Sequence, residues 1–214
     1  MRRFRAVMLD IDGTLVDSND AHALAWRDAL AERDLDIAPA RIRRLIGMGG
    51  EFLLATVAPG DRSGIDQRHG EIFRERYLGR VRAFPKTRDL VLQLRREGYA
   101  LAIATSGKPD DVQALLEIAR VADLIEARAS AGDVAQPKPA PDVVEAALAR
   151  VPVERAHAVL IGDTPYDVRA ATRAGIAAIG MACGGFPAAE LAGAVEVFVD
   201  PADLLARWSQ TSLG

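Results

Sequence analysis

The sequence has one cysteine, Cys183, and only eleven aromatic residues: two tryptophans, three tyrosines and six phenylalanines. A single cysteine excludes an internal disulfide. Disulfides are rare where the cell keeps thiols reduced, so this scarcity indicates a cytoplasmic protein. We expect the Cys183 thiol to be structural or incidental, because no partner cysteine or histidine accompanies it. The chain also has no internal repeat and no low-complexity segment.

No hydrophobic run is long enough for a signal peptide or a membrane span. Arg2, Arg3 and Arg5 precede a short apolar run that ends at Asp10. The formal net charge of the 214 residues is only −3, so no strong basic character indicates nucleic acid or an acidic membrane as a partner. Half of the residues are hydrophobic, which is typical of a folded globular protein.

Short apolar runs alternate with amphipathic helical patterns along most of the chain. The predicted strands are Phe4–Leu9, Tyr99–Ala104, Leu124–Ala129, Ala158–Ile161, Ile176–Gly180 and Val195–Val199. Strands that alternate with helices favour a parallel sheet with right-handed crossovers. We therefore predict an α/β fold with a doubly wound, Rossmann-like parallel sheet.

One long segment interrupts this alternation. Between Val16 and about Arg82 only helical patterns occur, without a convincing strand. We expect residues 17–82 to form an inserted α-helical cap domain, and residues 1–16 and 83–214 to form the α/β core. Arg41, Arg43 and Arg44 in the cap are candidates to face a substrate, although charged residues on a helix are usually solvated.

Polar side chains with useful chemistry follow three of the predicted strands. Asp10 and Asp12 follow the first, Thr105, Ser106 and Gly107 follow the second, Asp163 and Asp167 follow the fourth, and Lys138 lies in the loop before it. Open α/β sheets bind ligands at the carboxyl ends of their strands. The convergence of these residues therefore predicts an active site at that edge.

The carboxylates suit phosphoryl transfer. A carboxylate such as Asp10 can attack phosphorus and split one difficult step into two, although Asp12-Gly13 also makes Asp10 a plausible turn residue. Asp12 is placed to act as general acid and then as general base. Asp10 and Asp163 offer the hard oxygen ligands that Mg²⁺ prefers.

The remaining residues each have a structural alternative. Asp167 is the third residue of a helix that begins Thr164-Pro165, so it either caps that helix or supports the metal site. Residues 105–107 either cap the next helix or bind an anion with hydroxyl and N–H groups. Lys138, held between two prolines, is either solvated or directed at a phosphoryl group.

Together these motifs resemble the haloacid dehalogenase superfamily. The matching segments are DIDGT at 10–14, the hydroxyl pair Thr105-Ser106, Lys138 in KPAPD, and GDTPYD at 162–167. The resemblance implies Asp10 as nucleophile and Asp12 as acid/base. It also implies phosphate binding by Thr105, Ser106, Gly107 and Lys138, and Mg²⁺ held by Asp10, the Asp12 carbonyl and Asp163 with support from Asp167.

Differences among the branches of this family limit which reactions we expect. Asp12 is present, whereas true haloacid dehalogenases lack this second aspartate, so we expect a phosphatase of a small phosphorylated metabolite, of the sugar phosphate or phosphoglycolate type. His22 and Trp26 are similar to a β-phosphoglucomutase-like branch, in which a cap histidine positions the acid/base; they are otherwise partly buried cap residues. Gly49-Gly50 and Gly162 depart from that branch.

A phospho-acceptor signalling domain is a third alternative for the function. The sequence is compatible with both a monomer and a homodimer.

Overall fold

The computed structural model describes residues 3–58, 60, 62–125 and 127–214. The strands are β1 (Ala6–Leu9), β2 (Val16–Asp17), β3 (Arg82–Ala83), β4 (Ala100–Ala104), β5 (Ala127–Ala129), β6 (Ala158–Gly162), β7 (Ala177–Met181) and β8 (Glu196–Phe198). Six of them form a parallel sheet in the order β5-β4-β1-β6-β7-β8. The other two, β2 and β3, form a separate antiparallel pair.

The helices are α1 (Asn19–Ala31), α2 (Pro39–Arg43), α3 (Gly50–Val57), α4 (Ile65–Ile72), α5 (Thr87–Arg96), α6 (Pro109–Ile118), α7 (Asp142–Leu148), α8 (Pro165–Arg173) and α9 (Pro201–Ala206). The chain continues from α4 through a π-helical turn, Phe73–Tyr77, and a 3₁₀ turn, Leu78–Arg80. In the described part of the chain, no helix combines the length and hydropathy needed to cross a bilayer.

Strand β1 is the buried centre of the sheet. Its side chains alternate between two hydrophobic clusters, with Val7 and Leu9 in one and Ala6 and Met8 in the other. Helices α5, α6 and α9 contribute to the first cluster, and α7 and α8 contribute to the second. Full burial of each large aliphatic side chain stabilises the fold by about 1.5–3 kcal/mol. The residue that follows β1 is therefore held on a rigid platform.

The register of the sheet brings three strand ends to one level. Leu9 lies opposite Ile103 of β4 and opposite Ile161 of β6. From β1 the chain builds outward first through β4 and β5, and then on the other side through β6, β7 and β8. Such a reversal opens a crevice beyond the carboxyl ends of the strands. Residues after β1, β4 and β6 therefore surround a common crevice.

The α/β fold with a parallel sheet is confirmed, and the differences concern where elements begin and end. The predicted strand Leu124–Ala129 is wrong in its first part: Leu124 lies in a turn, and β5 spans only Ala127–Ala129, with Glu126 outside the described residues. In the helical segment, α4 ends at Ile72, where the chain continues as the π-helical turn Phe73–Tyr77.

The helical segment joins the sheet through two adjacent connections. Val16 pairs with Ala83, and Asp17 pairs with Arg82, in the short antiparallel ladder of β2 and β3. Helices α1 to α4 lie between these two strands in sequence, and α1 packs against both α2 and α4. The chain therefore leaves the α/β core and returns to it at the same place, beside the end of β1.

Candidate active site

The carboxylate of Asp10 lies in the crevice and forms an ion pair with Lys138. Asp10 follows β1 and its backbone N–H donates to the Ile161 carbonyl oxygen at 2.9 Å. The ammonium of Lys138 donates to Asp10 Oδ1 at 2.7 Å, and lies 2.6 Å from Asp167 Oδ1. The Lys138 side chain is only 1% exposed. A lysine buried this deeply between two carboxylates is an integral part of the site and not a solvated loop residue.

The Asp167 carboxylate serves two partners at once. Its Oδ2 accepts hydrogen bonds from the backbone N–H and the hydroxyl of Thr164, at 3.0 and 2.6 Å, in a capping box at the start of α8. Its other oxygen, Oδ1, faces Lys138. The two structural alternatives from the sequence are therefore compatible: Asp167 caps α8 and also contacts the charged groups of the crevice.

Asp163 is fully buried beside the loop that carries Asp12 and Thr14. The Thr14 hydroxyl lies 3.2 Å from its Oδ1, and the Asn19 amide donates to its Oδ2 at 3.0 Å. Gly13 in this loop has a φ of +76°, and a Cβ at that position would lie 2.2 Å from Asp163 Oδ2. The DIDGT segment therefore needs its glycine both for a left-handed turn and for the close approach of Asp163.

These three aspartates form a cluster that could hold a cation. One carboxylate oxygen from each of Asp10, Asp163 and Asp167 lies within 4.8 Å of the others. Burial, opposed by the charge of Lys138, raises the pKa of Asp10 to about 7. Burial and the charges of the other two aspartates raise the pKa of Asp163 well above its usual range. Three ionised carboxylates facing one ammonium leave two negative charges unbalanced, which a divalent cation would neutralise.

Asp12 is held on the helical side of the crevice. The Ser18 hydroxyl donates to its Oδ1 at 2.5 Å, and His22 Nε2 lies 3.1 Å from the same oxygen. Burial acts to raise the pKa of Asp12, but His22 and the Ser18 hydrogen bond outweigh it and lower that pKa below its usual range. The environments of Asp10 and Asp12 therefore shift their pKa values in opposite directions, as expected for carboxylates with different roles.

A second histidine lies behind His22. His69 Nε2 is 3.2 Å from His22 Nδ1, and the His69 ring stacks on Trp26 with 4.0 Å between centroids. Because a carboxylate only accepts hydrogen bonds, His22 Nε2–H donates to Asp12. The other ring nitrogen, His22 Nδ1, shares a hydrogen bond with His69 Nε2, and His69 Nδ1 is buried without a hydrogen-bond partner among the described residues. Burial and nearby positive charge hold the pKa of His69 well below its usual range, which favours a neutral His69 ring.

The loop after β4 faces Asp10 across the crevice. Gly107 N–H donates to Thr105 Oγ1 at 3.0 Å, so this hydroxyl holds the turn together. Ser106 Oγ accepts the backbone N–H of Lys138 at 3.3 Å, which ties the loop to the lysine. Thr105, Ser106 and Gly107 all line the same cavity as Asp10 and Asp12. The predicted anion-binding loop and the two carboxylates therefore share one space.

Side chains of the helical segment form the opposite wall of that cavity. They include Trp26, Leu45, Ile46, Leu53 and Asp66. Asp66 also contacts the α/β core, because the Lys108 ammonium lies 2.7 Å from its Oδ2. Another ion pair spans the two parts of the protein, from Arg74 to the buried Asp111 at 2.8 Å. The helical segment is thus seated over the crevice.

All of the residues predicted for the site lie around this crevice, but the arginines that were candidates for substrate contact do not line it. Arg43 pairs with Asp20, and Arg44 pairs with Glu190. Sequence reasoning missed three residues that contact the carboxylates or their partners: Ser18, Asn19 and His69. Ser18 and Asn19 have a signal in hindsight, since they lie at the start of α1, four and five residues after the DIDGT segment. His69 has none, because it is one polar position on an ordinary helix.

Comparisons with known proteins identify the family to which the chain belongs. A sequence model described as haloacid dehalogenase-like hydrolase matches residues 7–181. A probable phosphatase, IndB, from Dickeya dadantii is 32% identical over 83% of this chain and 81% of its own length. A phosphoglycolate phosphatase from Rhodospirillum rubrum is 32% identical over 94% of this chain and 89% of its own length. The crystal structure of a hydrolase from Pseudomonas syringae superimposes with a TM-score of 0.88 and 31% identity, covering 96% of this chain and 98% of the other.

Proposed function

Because this chain belongs to the haloacid dehalogenase-like hydrolase family and is a phosphatase, we propose that it hydrolyses a small phosphorylated metabolite through an aspartyl-phosphate on Asp10. The observation that carries the proposal is the buried contact of Asp10 with Lys138, beside Asp12 and beneath the Thr105–Gly107 loop. This arrangement places a nucleophile, a proton carrier and an anion-binding loop in one cavity.

In the first half of the proposed reaction, an oxygen of Asp10 attacks phosphorus and the bond from phosphorus to the alcohol oxygen breaks. Asp12 gives its proton to the departing oxygen. Asp12 is a carboxylate in the free protein, and the negative charge of an arriving phosphate favours its protonation. Lys138 and the Thr105–Gly107 loop stabilise the charge on the phosphoryl oxygens.

In the second half, Asp12 is again a carboxylate and takes a proton from water. The oxygen of that water attacks phosphorus, the bond from phosphorus to Asp10 breaks, and inorganic phosphate leaves. His22 and Ser18 hold Asp12 in position for both transfers, and His69 fixes the orientation of the His22 ring. The Asp12 side chain therefore moves one proton in each direction during a turnover.

We also propose that the site takes Mg²⁺, held by Asp10, Asp163 and the Asp12 carbonyl, with Asp167 in support. The unbalanced charge of the cluster fits a dication, and so does Asn19 Oδ1, a buried oxygen with no hydrogen-bond partner in the described structure. Both Asp167 oxygens already have partners, which suits an indirect role. When bound, the cation supplies charge neutralisation between the carboxylates and the phosphate.

The affinity for Mg²⁺ is expected to fall as the pH is lowered. The pKa of Asp10 is about 7, so at pH 6 the cation must displace a proton that is largely absent at pH 8. This competition weakens binding at least about tenfold between pH 8 and pH 6. Isothermal titration calorimetry at the two pH values measures it. In Asp10→Asn, whose amide does not titrate, binding is weaker and this pH dependence shrinks; an equal affinity of the wild-type protein at both pH values would contradict the assignment.

We propose that residues 17–82 act as a cap domain on a core of residues 1–16 and 83–214. The paired connections β2 and β3 support this division, because two adjacent strands can work as one hinge. The ion pairs of Asp66 with Lys108 and of Arg74 with Asp111 then hold the cap over the crevice. In this position the cap excludes bulk water from Asp10.

A β-phosphoglucomutase-like reaction is the second candidate, and the contact of the cap residue His22 with Asp12 favours it. Two positions favour the phosphatase instead. Mutases of this family tend to carry an acidic pair at 162–163, but a Cβ at Gly162 would lie 2.4 Å from Asp167 Cγ. Gly49 and Gly50 line the cavity from the helical segment and have no side chain that could bind a second phosphate.

Two assays test the function. With Mg²⁺, the protein should release phosphate from p-nitrophenyl phosphate, and a chelator should stop the release. With β-glucose 1-phosphate and a trace of the bisphosphate, a phosphatase yields free phosphate and no glucose 6-phosphate. Formation of glucose 6-phosphate would replace our proposal by the mutase, and inactivity towards every phosphate ester with Mg²⁺ present would refute both.

A further inference from the structure

The residues that line the cavity bear on which kind of alcohol a phosphate ester can carry into it. A phosphoryl group at Asp10 and the Thr105–Gly107 loop leaves the rest of the cavity for the alcohol part of the ester. That part of the wall is formed by the cap side chains Trp26, Leu45, Ile46 and Leu53. Ile46 and Leu53 are almost fully buried, at 7% and 1% exposure, and they offer apolar contact surface without a hydrogen-bonding group. Trp26, at 3% exposure, adds an aromatic ring whose one polar group is the indole N–H.

The charges on this wall are unfavourable to a second anionic group. Among the described residues that line the cavity, Lys108 is the one lysine or arginine. Its ammonium is 2.7 Å from the Asp66 carboxylate and also donates to the Asp66 carbonyl oxygen at 2.7 Å. The Asp111 carboxylate lies on the same wall, with Arg74 as its partner. A carboxylate or second phosphate there would lose its hydration and find no unpaired cation.

We propose, on the basis of the phosphatase function above, that the substrate is the monophosphate of an uncharged alcohol with an apolar face. The four apolar cap side chains contact that face, and a hydroxyl group can reach the Asp66 carboxylate. Bisphosphates and phosphorylated carboxylates are disfavoured, because Lys108 is already paired with Asp66. The preferred class is narrower than the small phosphorylated metabolites expected from the sequence, because it does not include phosphoglycolate.

The test compares esters that differ mainly in charge. Ethylene glycol monophosphate and 2-phosphoglycolate are nearly the same size, but the first ends in a hydroxymethyl group and the second in a carboxylate. With Mg²⁺ present, we expect kcat/KM for the glycol ester to exceed that for phosphoglycolate by at least about tenfold, because the carboxylate meets Asp66 and Asp111 in a partly desolvated cavity. Phenyl phosphate, which is uncharged and apolar in its alcohol part, should also exceed phosphoglycolate.

A variant tests the role assigned to the ion pair. Asp66→Asn removes the charge that neutralises Lys108, so the ratio of kcat/KM should shift towards phosphoglycolate by about tenfold. Asp110→Asn is the matched control, because this exposed carboxylate has the same charge but does not line the cavity. The control should leave the ratio unchanged, since solvent and salt screen an exposed charge.

The outcomes separate this inference from the proposal on which it rests. If phosphoglycolate is the best of the three esters for the wild-type protein, the uncharged-alcohol class is wrong while the phosphatase stands. If Asp66→Asn folds, as judged by its circular dichroism, and the ratio does not move, the part assigned to the Asp66–Lys108 pair is wrong. If none of the three esters, nor p-nitrophenyl phosphate, is hydrolysed, the phosphatase mechanism itself fails and the inference fails with it.

Discussion

The Asp10→Asn variant is expected to lower kcat for p-nitrophenyl phosphate by at least about 10⁴-fold, because it removes the atom that forms the covalent bond to phosphorus. An amide oxygen can still accept the hydrogen bond from Lys138, so the loss comes from nucleophilicity and not from a collapsed site. Steady-state kinetics with saturating Mg²⁺ measures the change.

The fold of this variant should be retained. Asp10 is a buried acid whose pKa is raised to about 7, so its carboxylate destabilises the metal-free protein as the pH rises above the pKa of the unfolded chain. Removing the charge should therefore leave the free energy of unfolding at pH 8 unchanged or higher. Asp36→Asn, at an exposed position in the helical segment, serves as the control and should keep full activity. Activity of Asp10→Asn within tenfold of the wild type would eliminate a covalent mechanism at this residue.

The Lys138→Met variant is expected to lose about 3–5 kcal/mol of unfolding free energy at pH 8, because it leaves buried carboxylates without their cation. Asp10 and Asp167 lie 2.7 and 2.6 Å from the Lys138 ammonium. The charge of Lys138 lowers the pKa of Asp10, so without that ammonium Asp10 would hold its proton to higher pH in the folded state. The loss of stability should therefore be greater at pH 8 than at pH 5.5, where protonation relieves the repulsion. Urea titrations at the two pH values measure the difference.

A second substitution added to Lys138→Met should restore part of the stability without restoring the activity. Lys138→Met/Asp167→Asn removes one of the two stranded charges and should regain part of the stability, while the activity stays at least about 10²-fold below the wild type because the phosphoryl group still lacks its ammonium. Lys86→Met is a control for loss of a lysine, since Lys86 is exposed and pairs with Asp89, a neighbour three residues away. A Lys138→Met protein as stable as this control at pH 8 would show that the buried ion pairs do not stabilise the fold.

The sequence predicted the features that depend on neighbouring residues or on a regular repeat of apolar residues. Apolar runs of strand length predicted the sheet, and the parallel arrangement then required Asp10, Thr105 and Asp163 to emerge at one edge. The capping pattern Thr164-Pro165-Tyr166-Asp167 predicted the start of α8 and the position of Asp167. Both inferences depend on near neighbours in the chain or on a regular sheet, so they survive without knowledge of tertiary packing.

The side-chain contacts of the helical segment 17–82 could not be predicted from the sequence. His69 reaches His22 across 47 residues, and Asn19 reaches Asp163 across 144 residues. Helical periodicity indicates which positions are buried, but not which buried polar atoms meet. The same limit applies to Arg43 and Arg44, whose acidic partners, Asp20 and Glu190, determine that they do not line the cavity. The partners of these residues follow from how the helical segment packs on itself and on the rest of the protein.

The position of Lys138 shows how packing decides between two sequence alternatives. A lysine in a proline-rich loop is usually solvated. Only the presence of the other three motifs in the sequence suggested that Lys138 contacts a phosphoryl group. In the structure this loop folds over the sheet edge, and the lysine is buried because two carboxylates stabilise its charge more than burial destabilises it, which raises its pKa. The energetic balance depends on groups 128 and 29 positions away.

The measurement that tests the account most directly is chemical trapping of the covalent intermediate. Acid-quenched turnover mixtures are treated with borohydride, which reduces an aspartyl-phosphate to homoserine, and peptides are sequenced by tandem mass spectrometry. We predict homoserine at position 10 in the wild-type protein only when substrate and Mg²⁺ are present, and none in Asp10→Asn. Release of phosphate with position 10 remaining aspartate throughout, or with the label on another residue, would contradict the mechanism.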